Sequence, residues 1–385
     1  MKKTKIIRLA TVPMSLNILL KGQLKFLAQF FNVVGISSHG ADLQTVALRE
    51  GVSTVAVNME RSISPVKDAI ALFKLYQQFK KHKPLIVHSI TPKAGLLSML
   101  AGKMAGVPIR MHTFTGLIFP TRTGMMQKLL IKMDQLLCWA ATNIYPEGKG
   151  VKNDLISFKI TSKPLKILAN GNVNGINLEY FSTAQIDLST QVDLKKELGI
   201  LSTDHVFIFV GRLVGDKGIN ELIEAFGKLE TKNAKLLLVG SLESELDPLK
   251  EHTLNEINTN KNIVSIGFQS DVRPYFAISH CLVFPSYREG FPNVVMQAGA
   301  MGLPSIVSNI NGCNEIVVEG ENGTIIPVKN VEALQQAMEK MMEDKEYYSK
   351  LKENTRPMIQ SRYEQSVVWN ALLEEYNSLI NKLPN

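Results

Sequence analysis

Short runs of β-branched and apolar residues alternate along this chain with stretches of helical spacing, and no other feature narrows the fold as much. Residues 6–10, 32–37, 53–57, 85–89 and 109–114 read as strands. Between them, 16–30, 41–50, 65–81 and 92–105 read as helices, the last two opened by Pro65 and Pro92. Such alternation means βαβ units, hence parallel sheets with helices on both faces. The pattern then restarts. Residues 205–210, almost wholly apolar, suit a central strand buried on both sides. Helix 218–229, strand 235–239, helix 246–259, strand 263–266, helix 272–278, strand 281–284, helix 293–301, strand 304–308 and helix 331–343 follow. The expected fold class is α/β, two Rossmann-like doubly wound domains facing a central cleft, where ligands bind at the carboxyl ends of the strands. The domains are placed at 1–183 and 199–360, joined by a polar linker at 184–198. A terminal helix at 361–385, with Trp369 and Tyr376, is expected to return toward the first domain.

Composition excludes several alternatives. The chain has 385 residues, 45% apolar and 20% charged, enough to build two sizeable cores. Its three cysteines, Cys138, Cys281 and Cys313, lie far apart without CxxC spacing, which excludes a disulfide scaffold or a cysteine zinc site and fits a reducing compartment. The basic start lacks the apolar core of a signal peptide, and the longest apolar stretch, 94–105, is short and interrupted by Lys103. The expected location is the cytoplasm, peripheral at the inner face of the cytoplasmic membrane.

Charge is distributed unevenly. Through Thr183 there are 24 Lys and Arg against 8 Asp and Glu, net +16; from Ala184 onward, 19 against 27, net −8. The basic runs include Lys2-Lys3-Thr4-Lys5, residues 74–83 and residues 122–132. Nucleic acid, an anionic membrane or a diphosphate-bearing substrate would each suit that field. Nucleic-acid readers interleave such charge with stacking aromatics or a helix-turn-helix, and neither pattern is present. Peripheral contact with an anionic membrane is the expectation, since each Lys or Arg near such a leaflet contributes about 1 kcal/mol.

Two segments carry chemistry. In Phe209-Val210-Gly211-Arg212-Leu213-Val214-Gly215-Asp216-Lys217-Gly218 a buried strand ends at Gly211, a turn exposes Arg212 and Lys217, and a helix begins near Gly218. Helix N-termini carry unpaired N–H groups and about half a positive charge, so two added cations make an anion site suited to a diphosphate. In Phe284-Pro285-Ser286-Tyr287-Arg288-Glu289-Gly290-Phe291-Pro292-Asn293 a second strand ends in a glycine turn and opens a helix, with Asn293 the expected N-cap. Glu289 sits before that helix and Gln297 about one turn inside it. Both accept hydrogen bonds from sugar hydroxyls.

With these segments the chain resembles the retaining GT-B glycosyltransferases of family 4. The Gly211–Gly218 stretch matches their diphosphate loop, and Glu289-Gly290-Phe291-Pro292-Asn293-Val294 the start of their E-x7-E motif. Residues 298–304, 311–315 and 320–323 continue the match. Asn174-Gly175-Ile176-Asn177 with Phe181 is similar to the segment before the interdomain linker, and His88 through Gly95 to the N-domain segment of polysaccharide-assembly members. The resemblance implies that Arg212 and Lys217 hold the donor diphosphate and that Glu289 touches the transferred sugar. Gly211 and the backbone of Gly290, Phe291, Pro292, Asn293 and Val294 would approach the donor. Gly267 and Phe268 would face the nucleobase. Gln297 stands where the family has its second glutamate, which binds ribose; the amide keeps hydrogen bonding and loses charge. In the first domain, Pro13 through Asn17 replace the family's Gly-Gly loop, and Thr115-Gly116 replaces His-Gly beside the donor sugar. His112, which by alternation shares a face with Phe114, and His88 are further sugar-side candidates.

The expected reaction moves a sugar from a nucleotide donor, UDP-N-acetylhexosamine or UDP-galactose before GDP-mannose, to a polyprenyl-diphosphate-linked saccharide acceptor. No cofactor and no metal is expected, since no Asp-x-Asp motif is visible. A UDP-sugar 2-epimerase shares the two-domain shape but needs acid/base carboxylates in the cleft, and a basic nucleic-acid binder fits poorly with the acidic second half. A binder of nucleotide sugars without catalysis is the third rival, raised by Gln297 and Thr115.

Overall fold

The computed structural model describes residues 3–230, 233–243, 245 and 247–384, so Lys2 of the first basic run and Leu246 at one expected helix start lie outside the described residues. The chain forms two compact units, Met1–Gly175 with Gln365–Asn385, and Ile176–Glu364. The first holds strands β1 (Lys5–Leu9), β2 (Asn32–Ser37), β3 (Ser53–Ala56), β4 (Ile86–Ser89), β5 (Ile109–Phe114) and β6 (Asn143–Pro146). They form one sheet in the order β3-β2-β1-β4-β5-β6, every pairing parallel. The second holds β7 (His205–Val210), β8 (Ala234–Val239), β9 (Ile263–Gly267), β10 (Cys281–Phe284), β11 (Ser305–Ser308) and β12 (Gly323–Ile326). Its order is β12-β11-β10-β7-β8-β9, again all parallel. Counted from its own first strand, each sheet runs 3-2-1-4-5-6. This is the doubly wound order, which reverses direction between its first and fourth strands.

The strands form where the pattern places them because burial on both faces leaves no room for polar side chains. In β7, Val206, Phe207, Ile208 and Phe209 have no exposed surface, and burying each such side chain contributes about 1.5–3 kcal/mol. Helices Ala41–Glu50, Pro92–Ala105 and Val331–Glu343 occupy the expected residues.

Other elements differ from the expectation, for local reasons. The helix expected at 16–30 is two helices, Pro13–Leu19 and Gln23–Ala28, broken at Gly22. Gly22 adopts φ +83°, and a Cβ there would lie 2.8 Å from the Trp369 ring. Strands β6 (Asn-Ile-Tyr-Pro) and β12 (Gly-Thr-Ile-Ile) lie outside the expected elements, because Asn143, Pro146 and Gly323 read as turn residues. Helices Gly124–Ala140 and Lys345–Tyr363 were also missed, and the terminal helix is Gln365–Asn381, separated from its predecessor by extended Glu364. The stretch expected as a linker, 184–198, lies in the second unit, as helix Leu188–Glu197 and the turn before it. Ile176, Leu178, Ile186 and Ile200 are buried in that unit's core, and Arg356 donates to the carbonyls of Leu178 at 2.9 Å and Phe181 at 2.8 Å. The chain therefore changes units at Gly175/Ile176 and again at Glu364/Gln365. Among the described residues no helix is long and apolar enough to cross a membrane.

In the second unit the rings of His205 and His280 stack with centroids 4.9 Å apart. Burial lowers both, to about 3 and about 4. Both charge near 6.5 when unfolded, so between pH 6.5 and these lowered values the unfolded chain binds more protons. Stability is complete above pH 6.5 and falls on acidification. At pH 5 the loss is on the order of 1–2 kcal/mol per ring. His205 Nε2 has no hydrogen-bond partner, so His205→Phe keeps the stack and removes one titration. Its melting temperature is expected to fall less steeply than that of the unmodified protein between pH 7 and pH 5; equal slopes would assign the acid sensitivity elsewhere.

Candidate active site

In the second sheet, β7 and β10 are neighbours at the point where strand order reverses, and their carboxyl-end loops carry the candidate residues. After β7 the chain passes through Gly211 and Arg212 into a 3-10 turn, Gly215–Lys217, and enters helix Ile219–Gly227 through Gly218. Gly218 has φ +72°, and a Cβ there would lie 2.2 Å from the carbonyl oxygen of Pro285. Only glycine lets the two loops approach this closely. After β10 the chain runs from Pro285 to Pro292 and opens helix Asn293–Ala300.

Hydrogen bonds bind the loops to each other. Tyr287 N–H donates to the Asp216 carbonyl at 2.9 Å, and Arg288 reaches the Asp216 carboxylate at 2.9 Å. The Asp247 carboxylate accepts from the Asp216 N–H at 2.5 Å. Within this frame Lys217 Nζ donates to Glu289 Oε1. Their side chains are 16% and 17% exposed. The hydroxyl of Ser286 donates to the same carboxylate oxygen at 3.0 Å. Burial, and then the Glu289 carboxylate, push the Cys313 thiol well up, so it stays protonated. Arg212 is apart from this pair: it reaches Glu243 on the loop after β8 at 3.0 Å, with its side chain 48% exposed. The structure thus joins Lys217 to Glu289 and gives Arg212 a separate carboxylate.

The remaining candidates of this unit line the same strand ends. Gly290 leads into Phe291, whose ring packs edge-on against Tyr363 at 5.5 Å. Pro292 occupies the cap position, so Asn293 is the first helical residue and not the expected N-cap. Val294 follows, and Gln297 lies one turn further, half-buried. At the start of this helix the Val295 N–H donates to the Pro292 carbonyl at 3.2 Å. Gly267 ends β9 and its carbonyl accepts from Gly240 N–H at 2.9 Å. Next to it Phe268 is 74% exposed, a flat apolar ring of the kind that stacks on a base.

The first unit distributes its candidates differently. Thr115 and Gly116 follow β5 and are half-buried, the Thr115 hydroxyl donating to Ile90 O at 3.0 Å. His88 is buried and held on both sides: its Nδ1 faces Arg8 and, at 2.8 Å, the Tyr376 hydroxyl, while Nε2 meets Thr113 Oγ1 at 2.8 Å. Burial first and Arg8 second lower its pKa well below the ordinary value. The cavity beside it measures about 20 Å³, room for one water and far too small for a sugar. His112 is buried as well, with Ser89 Oγ 2.8 Å from Nδ1 and the Phe114 ring 4.5 Å away, as strand alternation implied. Burial lowers its pKa to about 3. Both histidines are neutral packing groups, and Thr115 and Gly116 remain as the accessible pair. Among the described residues no three His, Cys, Asp or Glu side chains cluster to hold a metal ion.

The family of group 1 glycosyl transferases matches residues 191–358, and the glycosyl transferase 4-like family matches residues 9–147. The capsular polysaccharide biosynthesis glycosyltransferase CapM of Staphylococcus aureus is 32% identical over 386 residues, covering 99% of each chain. The chain belongs to the GT-B glycosyltransferases of family 4. The UDP-Gal:α-D-GlcNAc-diphosphoundecaprenol α-1,3-galactosyltransferase of Escherichia coli is 31% identical to this glycosyltransferase, covering 74% of this chain and 73% of that one. A crystal structure of a glycosyltransferase from Rickettsia africae superimposes on the whole of both chains with a TM-score of 0.81 at 19% identity, a likeness of fold.

Ser286, Asp216, Asp247 and Glu243 were not singled out from this glycosyltransferase's sequence. Ser286 and Asp216 lie inside the two glycine-bearing segments, where nothing in the local pattern marks them as partners of Glu289 and Arg288. Glu243 and Asp247 follow β8 in a segment without a pattern, and only sheet order brings that loop beside β7. Gly218→Ala must strain φ and displace Pro285, so it is expected to lower unfolding free energy in urea by about 1–3 kcal/mol. Gly227→Ala, where a Cβ would meet nothing within 4 Å, serves as the control; equal effects would show that the close approach is not real.

Proposed function

We propose that this glycosyltransferase moves a sugar from a UDP-sugar, carrying N-acetylhexosamine or galactose, to a polyprenyl-diphosphate-linked saccharide, with retention at the anomeric carbon. The observation that carries this reading is the Lys217–Glu289 pair at the strand-order reversal of the second sheet, beside the N-terminus of helix Asn293–Ala300. Such a place supplies a cation, helix N–H groups and a carboxylate at one point, which suits a diphosphate joined to a hydroxyl-bearing ring. The E. coli relative's name, with its UDP-galactose donor and diphosphoundecaprenol acceptor, supports the donor and acceptor classes.

In the proposed reaction the bond from the anomeric carbon to the diphosphate oxygen breaks, and its electron pair leaves with the diphosphate. The acceptor hydroxyl oxygen bonds to the same face of the sugar, and its proton passes to the departing phosphate oxygen. Lys217, released from Glu289, meets the charge that grows on the diphosphate, and Arg212 turns to it from half-buried Glu243. Interactions that strengthen as charge develops lower the barrier more than they tighten ground-state binding. Glu289 then accepts from sugar hydroxyls, Gln297 from the ribose, and Phe268 with Gly267 faces the base. Gly211 and the chain from Gly290 to Val294 lie against phosphates and sugar. Thr115 and Gly116 serve the acceptor side. No cofactor enters this scheme, and the side-chain cations take the place of a divalent ion.

Lys217→Ala is expected to lower kcat/KM by about 10²–10³-fold, with transfer by the unmodified enzyme unchanged in EDTA. A near-normal rate for the variant, or loss of transfer on chelation, would remove Lys217 from the assigned role. In a thermal-stabilisation screen, UDP-sugars are expected to raise the melting temperature; at a hundred times the dissociation constant a ligand adds about 2.7 kcal/mol. A shift with GDP-mannose alone would overturn the donor assignment.

A further inference from the structure

Three helices of the first unit, Pro65–His82, Pro92–Ala105 and Gly124–Ala140, pack side by side over one face of its sheet, with Pro92–Ala105 in the middle. A helix covering a sheet ordinarily turns polar residues outward. Gly124–Ala140 does not. At 3.6 residues per turn, Met125, Lys128, Leu129, Lys132, Leu136 and Trp139 fall within an arc of roughly 100°, and all six are exposed, Met125 at 87% and Trp139 at 57%. The opposite side carries buried Leu137 and Cys138. Lys103 on the middle helix places its ammonium 3.7 Å over the Trp139 ring. On Pro65–His82 the exposed stripe is again apolar, Val66, Ile70 and Phe73, and Lys74 adjoins it.

Charge states what such a face meets. From Pro65 to Ala140 there are 11 Lys and Arg against 2 Asp. Asp68 is paired with Lys93, and burial raises Asp134 to about 7, so neither offsets the outward cations fully. Apolar side chains and a tryptophan interleaved with lysines on one helix face form the pattern of an element that lies in a bilayer interface, apolar groups among acyl chains and cations at anionic headgroups. A second copy of this chain would bring the same positive field against itself.

We propose that the helix Gly124–Ala140, together with Val66, Ile70 and Phe73 on the far side of Pro92–Ala105, is the surface by which this enzyme seats on an anionic lipid bilayer. The proposal deepens the reading of a lipid-linked acceptor, because it names the surface that would carry the enzyme to such a substrate. Binding to vesicles can nevertheless be measured without any transfer reaction.

The test uses phosphatidylcholine vesicles with and without phosphatidylglycerol, some carrying brominated acyl chains. Trp139 emission, obtained by difference from Trp139→Phe, is expected to shift to the blue and to be quenched by brominated chains only when phosphatidylglycerol is present, and to recover at high salt. Lys128→Ala with Lys132→Ala is expected to weaken vesicle partition about 30-fold, equivalent to about 2 kcal/mol. Leu129→Ser is expected to remove the quenching while leaving the melting temperature and donor hydrolysis unchanged. Bound vesicles that leave Trp139 unquenched, or binding indifferent to these substitutions, overturn the proposal. A dimer by light scattering that Leu129→Ser dissociates overturns it in favour of a second copy. If vesicle binding follows the proposal while no lipid-linked acceptor is glycosylated, the surface stands and the acceptor reading falls.

Discussion

The second unit is arranged around two opposite charges largely withdrawn from water. Lys217 and Glu289 expose only about a sixth of their side chains, and either one alone in that position would carry a desolvation cost of several kcal/mol. They are tolerable only because each has the other, and because Ser286 satisfies the carboxylate further. That arrangement requires two loops from different strands to meet within van der Waals distance. Gly218 permits the approach, and the Asp216 backbone with the Asp247 carboxylate holds it. Under the proposed function this pair exchanges partners: an arriving anion takes Lys217 and leaves Glu289 free to accept hydrogen bonds from something else. A ligand offering both a diphosphate and hydroxyl groups completes both sides at once.

The two units use one strand order for different ends. In the second, the loops after the first and fourth strands present ionic groups. In the first, the corresponding loops close on each other, Thr11 and Thr91 sharing a hydrogen bond at 2.8 Å between hydroxyls. The strand histidines are drawn inward, His88 against Arg8 and Tyr376 and His112 against Ser89. Polarity that would mark an active centre in sequence here fills an interior, with His88 and His112 kept neutral by burial. Lys67, Lys74, Lys80, Lys81, Lys128 and Lys132 stand exposed on the helices of this unit, where long side chains reach water easily.

Most of the fold was legible. Buried parallel strands such as β7 need continuous apolar runs, and the amphipathic helices between them need apolar residues three and four apart, so both leave a written period. The edge strands β6, which carries Asn143 and Pro146, and β12, which opens on Gly323, leave none. The break at Gly22 depends on a tryptophan almost 350 positions away in the chain, and no local pattern carries that information. The linker was misplaced for a similar reason. Polar composition at 184–198 resembles a tether, but Ile186 and Ile200 anchor the stretch to a core assembled from strands further along.

What the chain's residues determined by themselves was the class of fold, the two glycine-bearing strand ends and the identity of the cation and carboxylate they carry, because each depends on neighbours within a few positions. Tertiary structure alone decided which charges meet. Strand order places β10 beside β7, and so Lys217 faces Glu289 while Arg212, five residues before it, is turned to the loop after β8. Burial, likewise a property of the assembled sheet, decided that His88 and His112 are packing groups, since proximity in sequence to a strand end says nothing of which side is covered.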